Sequence, residues 1–338
     1  MMAVSVSQSD AAVSGVTLDL TVLDPAITAW LGRIEAISAE LGASDDSSVV
    51  ERRRVSRDLG NLLFAEMGRP GPDGIRIVDH EVPGGEGAVR VREYRPGEAA
   101  GEDLPAYVLL HGGAFWMGSI DEGVNRAICL ERAAGARYAV FDVDYRLAPE
   151  HPFPAGLEDA YAAVTWVFEN AGVLGVDPGK IVVGGVSAGG NLAAATCLVA
   201  RDRSGPPIRA QLLEVPAVDL RPDGAWIEEY AQINGLDAMD EMREFYVPPG
   251  VDLADPWVSP VAAEDLSGLP PAHIVTAEID PLRAGGELLA ERLARAGVPV
   301  TATRHLRSLH GTQGLTATWP GARLWNAEVI AALREFAR

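Results

Sequence analysis

The sequence predicts an α/β fold, a mostly parallel central sheet flanked by helices and topped by a helical cap. Two features carry that expectation. Beyond about residue 106, apolar strand-length runs at 106–110, 138–143, 180–186, 210–215, 273–277 and 298–303 alternate with helix-length segments near 121–135, 156–170, 188–202, 283–296 and 321–337. Such interleaving gives parallel strands joined by crossover helices, and strands covered on both faces read as continuous apolar runs. The second feature is the uncharged stretch 181–200, long enough to span a membrane. Its four glycines, Ser187 and Asn191 point instead to a buried strand turning into a helix.

Residues 1–72 are expected to form an N-terminal helical extension that supplies part of the cap. Asp24 and Pro25 open its first helix, because an Asp oxygen accepts from the unpaired amides of the first turn and the fixed φ of proline suits that turn. Ile27, Trp30, Leu31, Ile34, Ile37 and Leu41 follow at helical spacing, and Gly42 closes the run. A second helix is expected over 48–67 with Val55, Leu59, Leu62 and Leu63 inward, stopped by Gly68 and Pro70. After a turn at 71–74 the period changes to two over 75–82 and 88–94, which predicts an antiparallel hairpin. Residues 73–338 then form the main domain. Between about 221 and 255 the alternation lapses into an acidic stretch carrying Trp226, Tyr230, Phe245 and Tyr246. That stretch reads as a cap insertion over one end of the sheet, and its four aromatics are candidates to line a channel.

The balance of 28 basic against 48 acidic residues gives a formal net charge of −20. Such a surface repels phosphate backbones and anionic lipid, so neither nucleic acid nor a membrane surface is expected as a partner. Cys129 and Cys197 lie in apolar helical patterns without a second ligand residue at metal spacing, and are expected as buried free thiols. No Lys or Arg precedes Arg33 and no apolar run precedes it, so neither a secretory nor a transit segment is expected and the cytoplasm is the expected compartment. The oligomeric state stays open, a homodimer included.

Gly185-Val186-Ser187-Ala188-Gly189 matches G-x-S-x-G between an apolar strand and a helix. That is the context in which a serine is held on a sharp turn with its hydroxyl exposed, the small flanking residues letting neighbouring chain approach. A serine hydroxyl needs a base. Among six histidines, His80 and His273 fall in strand patterns, His111 opens a glycine turn and His151 lies in a proline loop. His310, in a loop after the last strand, is the chosen base, and His305 is read as a surface residue. Asp280, closing a strand before Pro281, is chosen as the carboxylate that orients the imidazole, with Glu278 as its competitor. Asp280 also reads as a helix N-cap. His111-Gly112-Gly113-Ala114-Phe115 follows another strand, and its glycines let backbone amides converge on one point as an oxyanion hole, to which the Ala188 amide adds a donor. Phe115 and Trp116, bulky and next to that turn, are expected to bound the acyl pocket; the competing reading points them into the core.

These residues resemble the hormone-sensitive-lipase-like family of α/β-hydrolases, in its bacterial esterase branch, over about residues 75–338. The resemblance rests on His111-Gly112-Gly113-Ala114, on the run from Tyr145-Arg146 through Pro149-Glu150-His151 to Pro154, on Gly185 to Gly190, on Asp280-Pro281-Leu282-Arg283, and on His310-Gly311. It implies a carboxylesterase acting on short- to medium-chain acyl esters, with Ser187, Asp280 and His310 as triad and no cofactor. It also implies oxyanion donors at the amides of Gly113, Ala114 and Ala188, with Gly112 shaping the turn. The chain departs from the family pattern at four places: Ala114 replaces a third glycine, Val186 a polar residue, Ala284-Gly285-Gly286 an acidic continuation, and Thr312 an aromatic. Two other readings use the same chain. A small-molecule binding protein on this fold keeps the pocket but lacks the base, so His310 is the discriminating residue. An amidase or acyltransferase would use the same triad.

Overall fold

The computed structural model describes residues 23–42, 44, 47–99, 101–227, 230 and 239–338. Eight strands are described: β1 (Ile75–Gly84), β2 (Gly87–Pro96), β3 (Leu104–Leu110), β4 (Ala139–Asp144), β5 (Val176–Val186), β6 (Ala210–Glu214), β7 (Ala272–Ile279) and β8 (Val300–Leu309). They join in one sheet in the order β1-β2-β4-β3-β5-β6-β7-β8. Strands β3 to β8 run parallel, while the predicted hairpin of β1 and β2 attaches antiparallel to β4.

The helices are α1 (Pro25–Leu41), α2 (Val49–Met67), α3 (Gly123–Ala136), α4 (Ala155–Glu169), α5 (Ala171–Leu174), α6 (Ala188–Asp202), α7 (Met239–Tyr246), α8 (Arg283–Arg295) and α9 (Pro320–Phe336). Alternate residues of each strand face opposite layers. Ala106, Val108 and Leu110 of β3 pack under α4 and α6 with Leu157, Val164 and Leu192. Tyr107 and Leu109 face Cys129 of α3 and Trp325, Val329 and Leu333 of α9. Both cysteines are buried and free. The uncharged stretch 181–200 is the end of β5, a turn and most of α6. Among the described residues no helix is long and apolar enough to cross a membrane; residues 1–22, on which the expectation about a leader segment mostly rests, lie outside the described residues.

The two N-terminal helices begin where their caps predict. The Ala26 amide donates to the Asp24 carboxylate at 2.9 Å and the Glu51 amide to the Ser48 hydroxyl at 3.3 Å. Gly42 ends α1 at φ 69°, a left-handed geometry that favours glycine. Ile27, Leu31, Ile34 and Ile37 of α1 with Leu59, Leu63 and Met67 of α2 bury against Ile279, Leu309, Leu315 and Trp319. Full burial of side chains this size contributes about 1.5–3 kcal/mol each. Leu62 is corrected: the inward stripe runs through Val55, Leu59, Leu63 and Met67, and Leu62 turns out to solvent at 45% exposure.

The sequence pattern does not mark helix α7, and it ends the last strand early, at residue 303. Helix α7 lies inside the 221–255 insertion, of which residues 228–229 and 231–238 lie outside the described residues. Strand β8 runs well past residue 303, because an edge strand alternates polar and apolar residues and so does not read as a continuous apolar run. Its ladder with β7 shifts register after Ala277 and resumes with Ile279 paired to Leu309. That pairing sets Asp280 and His310, the residues that immediately follow the two strands, side by side.

Candidate active site

Ser187 occupies the single position between β5 and α6 at φ 57°, ψ −117°. Its amide donates to the Glu214 carbonyl at 2.9 Å, and its own carbonyl accepts from the amides of Asn191 and Ala217, each at 3.1 Å. The neighbouring glycines are required by contact. A Cβ on Gly185 would stand 2.4 Å from the Gly189 backbone, and one on Gly189 would stand 2.0 Å from the Leu110 carbonyl oxygen.

The structure brings the three expected side chains together. Ser187 Oγ lies 3.0 Å from His310 Nε2, and His310 Nδ1 lies 2.8 Å from Asp280 Oδ2. Asp280 is fully buried, and its Oδ1 accepts from the Leu282 amide at 2.9 Å. The N-cap expectation is thus modified: helix α8 is capped at Leu282, and Asp280 braces the turn before it while facing the imidazole. Glu278 does not reach His310, since its carboxylate accepts from the Arg307 amide at 2.7 Å. Thr312 donates from Oγ1 to the Leu309 carbonyl at 2.7 Å and so holds the histidine turn. His305 is corrected from a surface residue: its ring stacks on Trp325, and Nε2 donates to Glu328 at 2.9 Å, the carboxylate that also takes His273.

Beside the serine, Gly113, Ala114 and Phe115 take successive φ values of 130°, 52° and 67°. The turn is closed by the Trp116 and Met117 amides on the Gly113 carbonyl at 3.1 and 2.8 Å. A Cβ on Gly113 would fall 2.1 Å from the Met117 carbonyl oxygen. Among the described residues the Gly113 and Ala114 amides have no acceptor. Ala188 opens α6, where a first-turn amide has no partner inside the helix. Gly112 packs against the elbow, its Cβ direction meeting the Val186 carbonyl oxygen at 3.2 Å. Burial lowers the His111 imidazole below its ordinary pKa, which leaves Nδ1–H to donate to the Gly112 carbonyl at 2.8 Å. Tyr145 stacks on that ring and donates to the His111 carbonyl at 2.8 Å. Arg53 of α2 ties the helical extension to this turn, donating to the carbonyls of Trp116 and Ala148 at 2.6 and 2.5 Å.

A cavity of about 370 Å³ opens on Ser187 and His310 and is lined by Gly112, Gly113, Ala114 and Trp116. Phe115 is corrected: it is buried away from the cavity, with its ring stacked on Tyr246 at 3.8 Å. Trp226, Tyr230, Phe245 and Tyr246 do not line the cavity either; Phe245, for example, stands edge-on behind Trp116 at 5.5 Å. The wall is built instead by Trp30, Leu31 and Ile34 of α1, Ile128 of α3, and Met239 and Met242 of α7. Helical spacing marked the first three as inward, but nothing local distinguishes a side chain facing a cavity from one facing a core. Among the described residues no group of three or more His, Cys, Asp or Glu is placed to hold a metal ion.

Below the cavity, Asp142 of β4 is fully buried and accepts from Asn125 Nδ2 at 2.6 Å. Burial outweighs that hydrogen bond and pushes the carboxyl up to about 7. The folded state therefore keeps a proton that the unfolded chain releases above about pH 4, and stability falls as pH rises from there to about 7. Asp142→Asn is expected to flatten that slope by a few kcal/mol, each pKa unit being about 1.4 kcal/mol. Urea unfolding of both proteins between about pH 4 and 8 is the measurement; parallel curves would show that Asp142 does not titrate in this range.

Residues 107–314 match the α/β hydrolase fold family. The carboxylesterase NlhH of Mycobacterium tuberculosis is 41% identical over 252 residues, covering 73% of this chain and 78% of that protein. The carboxylic ester hydrolase LipN of the same species is 36% identical over 329 residues, covering 94% of this chain and 84% of that protein. Among solved structures, a hyperthermophilic esterase from the archaeon Pyrobaculum calidifontis superposes with a TM-score of 0.82 at 37% identity, covering 93% of this chain and 99% of its own.

Proposed function

Because this chain belongs to the α/β-hydrolase fold family, in its hormone-sensitive-lipase-like esterase branch, and is a carboxylic-ester hydrolase, we propose that it cleaves short- to medium-chain acyl esters through Ser187, His310 and Asp280. The reading is carried by one observation, the continuous path from Ser187 Oγ to His310 Nε2 at 3.0 Å and from His310 Nδ1 to Asp280 Oδ2 at 2.8 Å. Ser187 Oγ attacks the ester carbonyl carbon as His310 Nε2 takes its proton. Asp280 holds the imidazole in the tautomer that leaves Nε2 able to accept, and it stabilises the imidazolium that forms.

The carbonyl oxygen, now anionic, accepts from the amides of Gly113, Ala114 and Ala188. These donors are oriented before substrate arrives and do not reorganise during reaction, the property that makes such sites effective. Collapse expels the alcohol with the proton from His310 and leaves an acyl-serine. A water molecule then attacks that carbonyl, His310 again taking the proton and returning it to Ser187 Oγ as the acid departs. A protein that only bound esters would have no need of the His310 contact.

In this reading residues 1–72 and the insertion 221–255 form the cap over a catalytic domain of residues 73–338. It is supported by the cavity walls contributed by α1, α2 and α7. The partner is a small ester and the compartment the cytoplasm.

Acyl length tests the reading. About 370 Å³ is near the lower end of the roughly 300–1,000 Å³ usual for ligand sites, and acyl and alcohol parts share it. Each buried methylene gains about 0.8 kcal/mol, whereas overfilling costs ~1–3 kcal/mol. With p-nitrophenyl esters, kcat/KM is expected to peak between about C2 and C6 and to fall by about C10, where overfilling outweighs the gain from added methylenes. An organophosphate should label Ser187. Rates still rising at the longest chain would overturn the size limit, and labelling at another residue would overturn the nucleophile.

A further inference from the structure

The cavity wall is mostly apolar, and its acidic side chains are in unlike states. Glu241 of α7 is neutralised by Arg52, which donates to both its oxygens at 2.5 and 2.6 Å and lies over the Trp116 ring. Glu122 has no such partner. It stands at the N-cap of α3 but makes no capping bond, and among the described residues nothing hydrogen-bonds or ion-pairs with its carboxyl. Arg57 of α2 acts on it only through space; the side chain is half-buried, and the desolvation that brings pushes its carboxyl up to about 7. Three residues on, and therefore on the same face of the helix, Asn125 also lines the cavity. Its Nδ2 is committed to Asp142, so Oδ1 remains as its acceptor atom.

An ionised carboxylate withdrawn from water is costly until a donor of opposite charge replaces the lost hydration. The hydrogen bond formed is then of the strong, charge-assisted kind. A chain of net charge −20 also draws cations toward its surface. We propose that Glu122, with the Asn125 amide oxygen beside it, is a specificity-determining acceptor that selects esters carrying an ammonium group. The inference rests on the cavity being the substrate site of the esterase reading.

The test uses matched pairs of esters that differ only by a terminal ammonium against an isosteric methyl, one pair modified on the acyl part and one on the alcohol part. Wild type is expected to favour the ammonium member of one pair, and Glu122→Gln to reduce that ratio of kcat/KM by about tenfold or more, the usual scale for a hydrogen bond to a charged group. Inhibition by n-butylammonium against n-butanol gives a second readout that needs no turnover. The amine is expected to compete better in wild type and to lose that advantage in the variant. Ratios unchanged by the substitution, or a wild-type preference for the methyl member of both pairs, would overturn the proposal. The comparison separates two failures: turnover of the neutral esters surviving Ser187→Ala would sink the catalytic reading, whereas an unchanged ratio sinks only the role of Glu122.

Discussion

Ser187→Ala is expected to lower kcat for ester hydrolysis by on the order of 10⁵–10⁶, to a residue of rate supplied by substrate binding and the oxyanion amides alone. The loss is large because no other hydroxyl among the described residues lies at hydrogen-bond distance from His310 Nε2. The substitution removes one atom from a position already held by backbone contacts: the Ser187 amide on Glu214, and the Asn191 and Ala217 amides on the Ser187 carbonyl. Folding should therefore be spared, with the far-UV circular dichroism spectrum and the thermal midpoint close to wild type. Wild-type turnover in the variant would remove Ser187 from the mechanism.

His310→Ala should cost nearly as much, about 10⁴–10⁶ in kcat, because serine and base act as one unit and the loss of either disables both. The double variant Ser187→Ala, His310→Ala should accordingly be no slower than the worse single variant. His305→Ala is the control. It breaks the Glu328 hydrogen bond and the stacking on Trp325, neither of which involves Ser187, His310 or Asp280. Its expected cost is about 1–2 kcal/mol of stability with kcat changed by less than about threefold. Steady-state kinetics with one ester, alongside urea unfolding, resolves the pair. A His305 variant that is dead while the His310 variant turns over would mean that the catalytic loop is misassigned.

The elbow was legible because its physics is local. Gly185, Ser187 and Gly189 stand at fixed offsets between an apolar strand and a helix, and the Cβ excluded at Gly185 would meet the Gly189 backbone within the same turn, although at Gly189 the excluding atoms come from the end of β3. The N-terminal helices were legible for a similar reason, since Asp24, Ser48 and Gly42 act on backbone groups within a few residues. His310 could be chosen by elimination and Asp280 by its place at the end of a strand, but their meeting depends on the register that pairs Ile279 with Leu309 after a shift in the ladder. A register across two strands has no signature within either.

The cavity beside Ser187 was the least legible part. Phe115 and Trp116 are adjacent and both bulky, yet one stacks in the core on Tyr246 and the other faces the cavity. The positive φ of Phe115 sends consecutive side chains in directions that no strand or helix period describes. In the same way α7 supplies Met239 and Met242 to the wall, while the expected aromatics pack behind it. The sequence by itself determined the fold class and the strand-to-helix turn that carries Ser187, and narrowed its partners to a few candidates, because these follow from backbone sterics and from the few residue types able to do the chemistry. Only the tertiary structure decided which side chains shape the cavity and that Glu122 stands half-buried there without an ion-pair partner among the described residues. Those outcomes depend on how separate elements pack across long stretches of chain, and a side chain's neighbours in that packing are not written in its neighbours along the sequence.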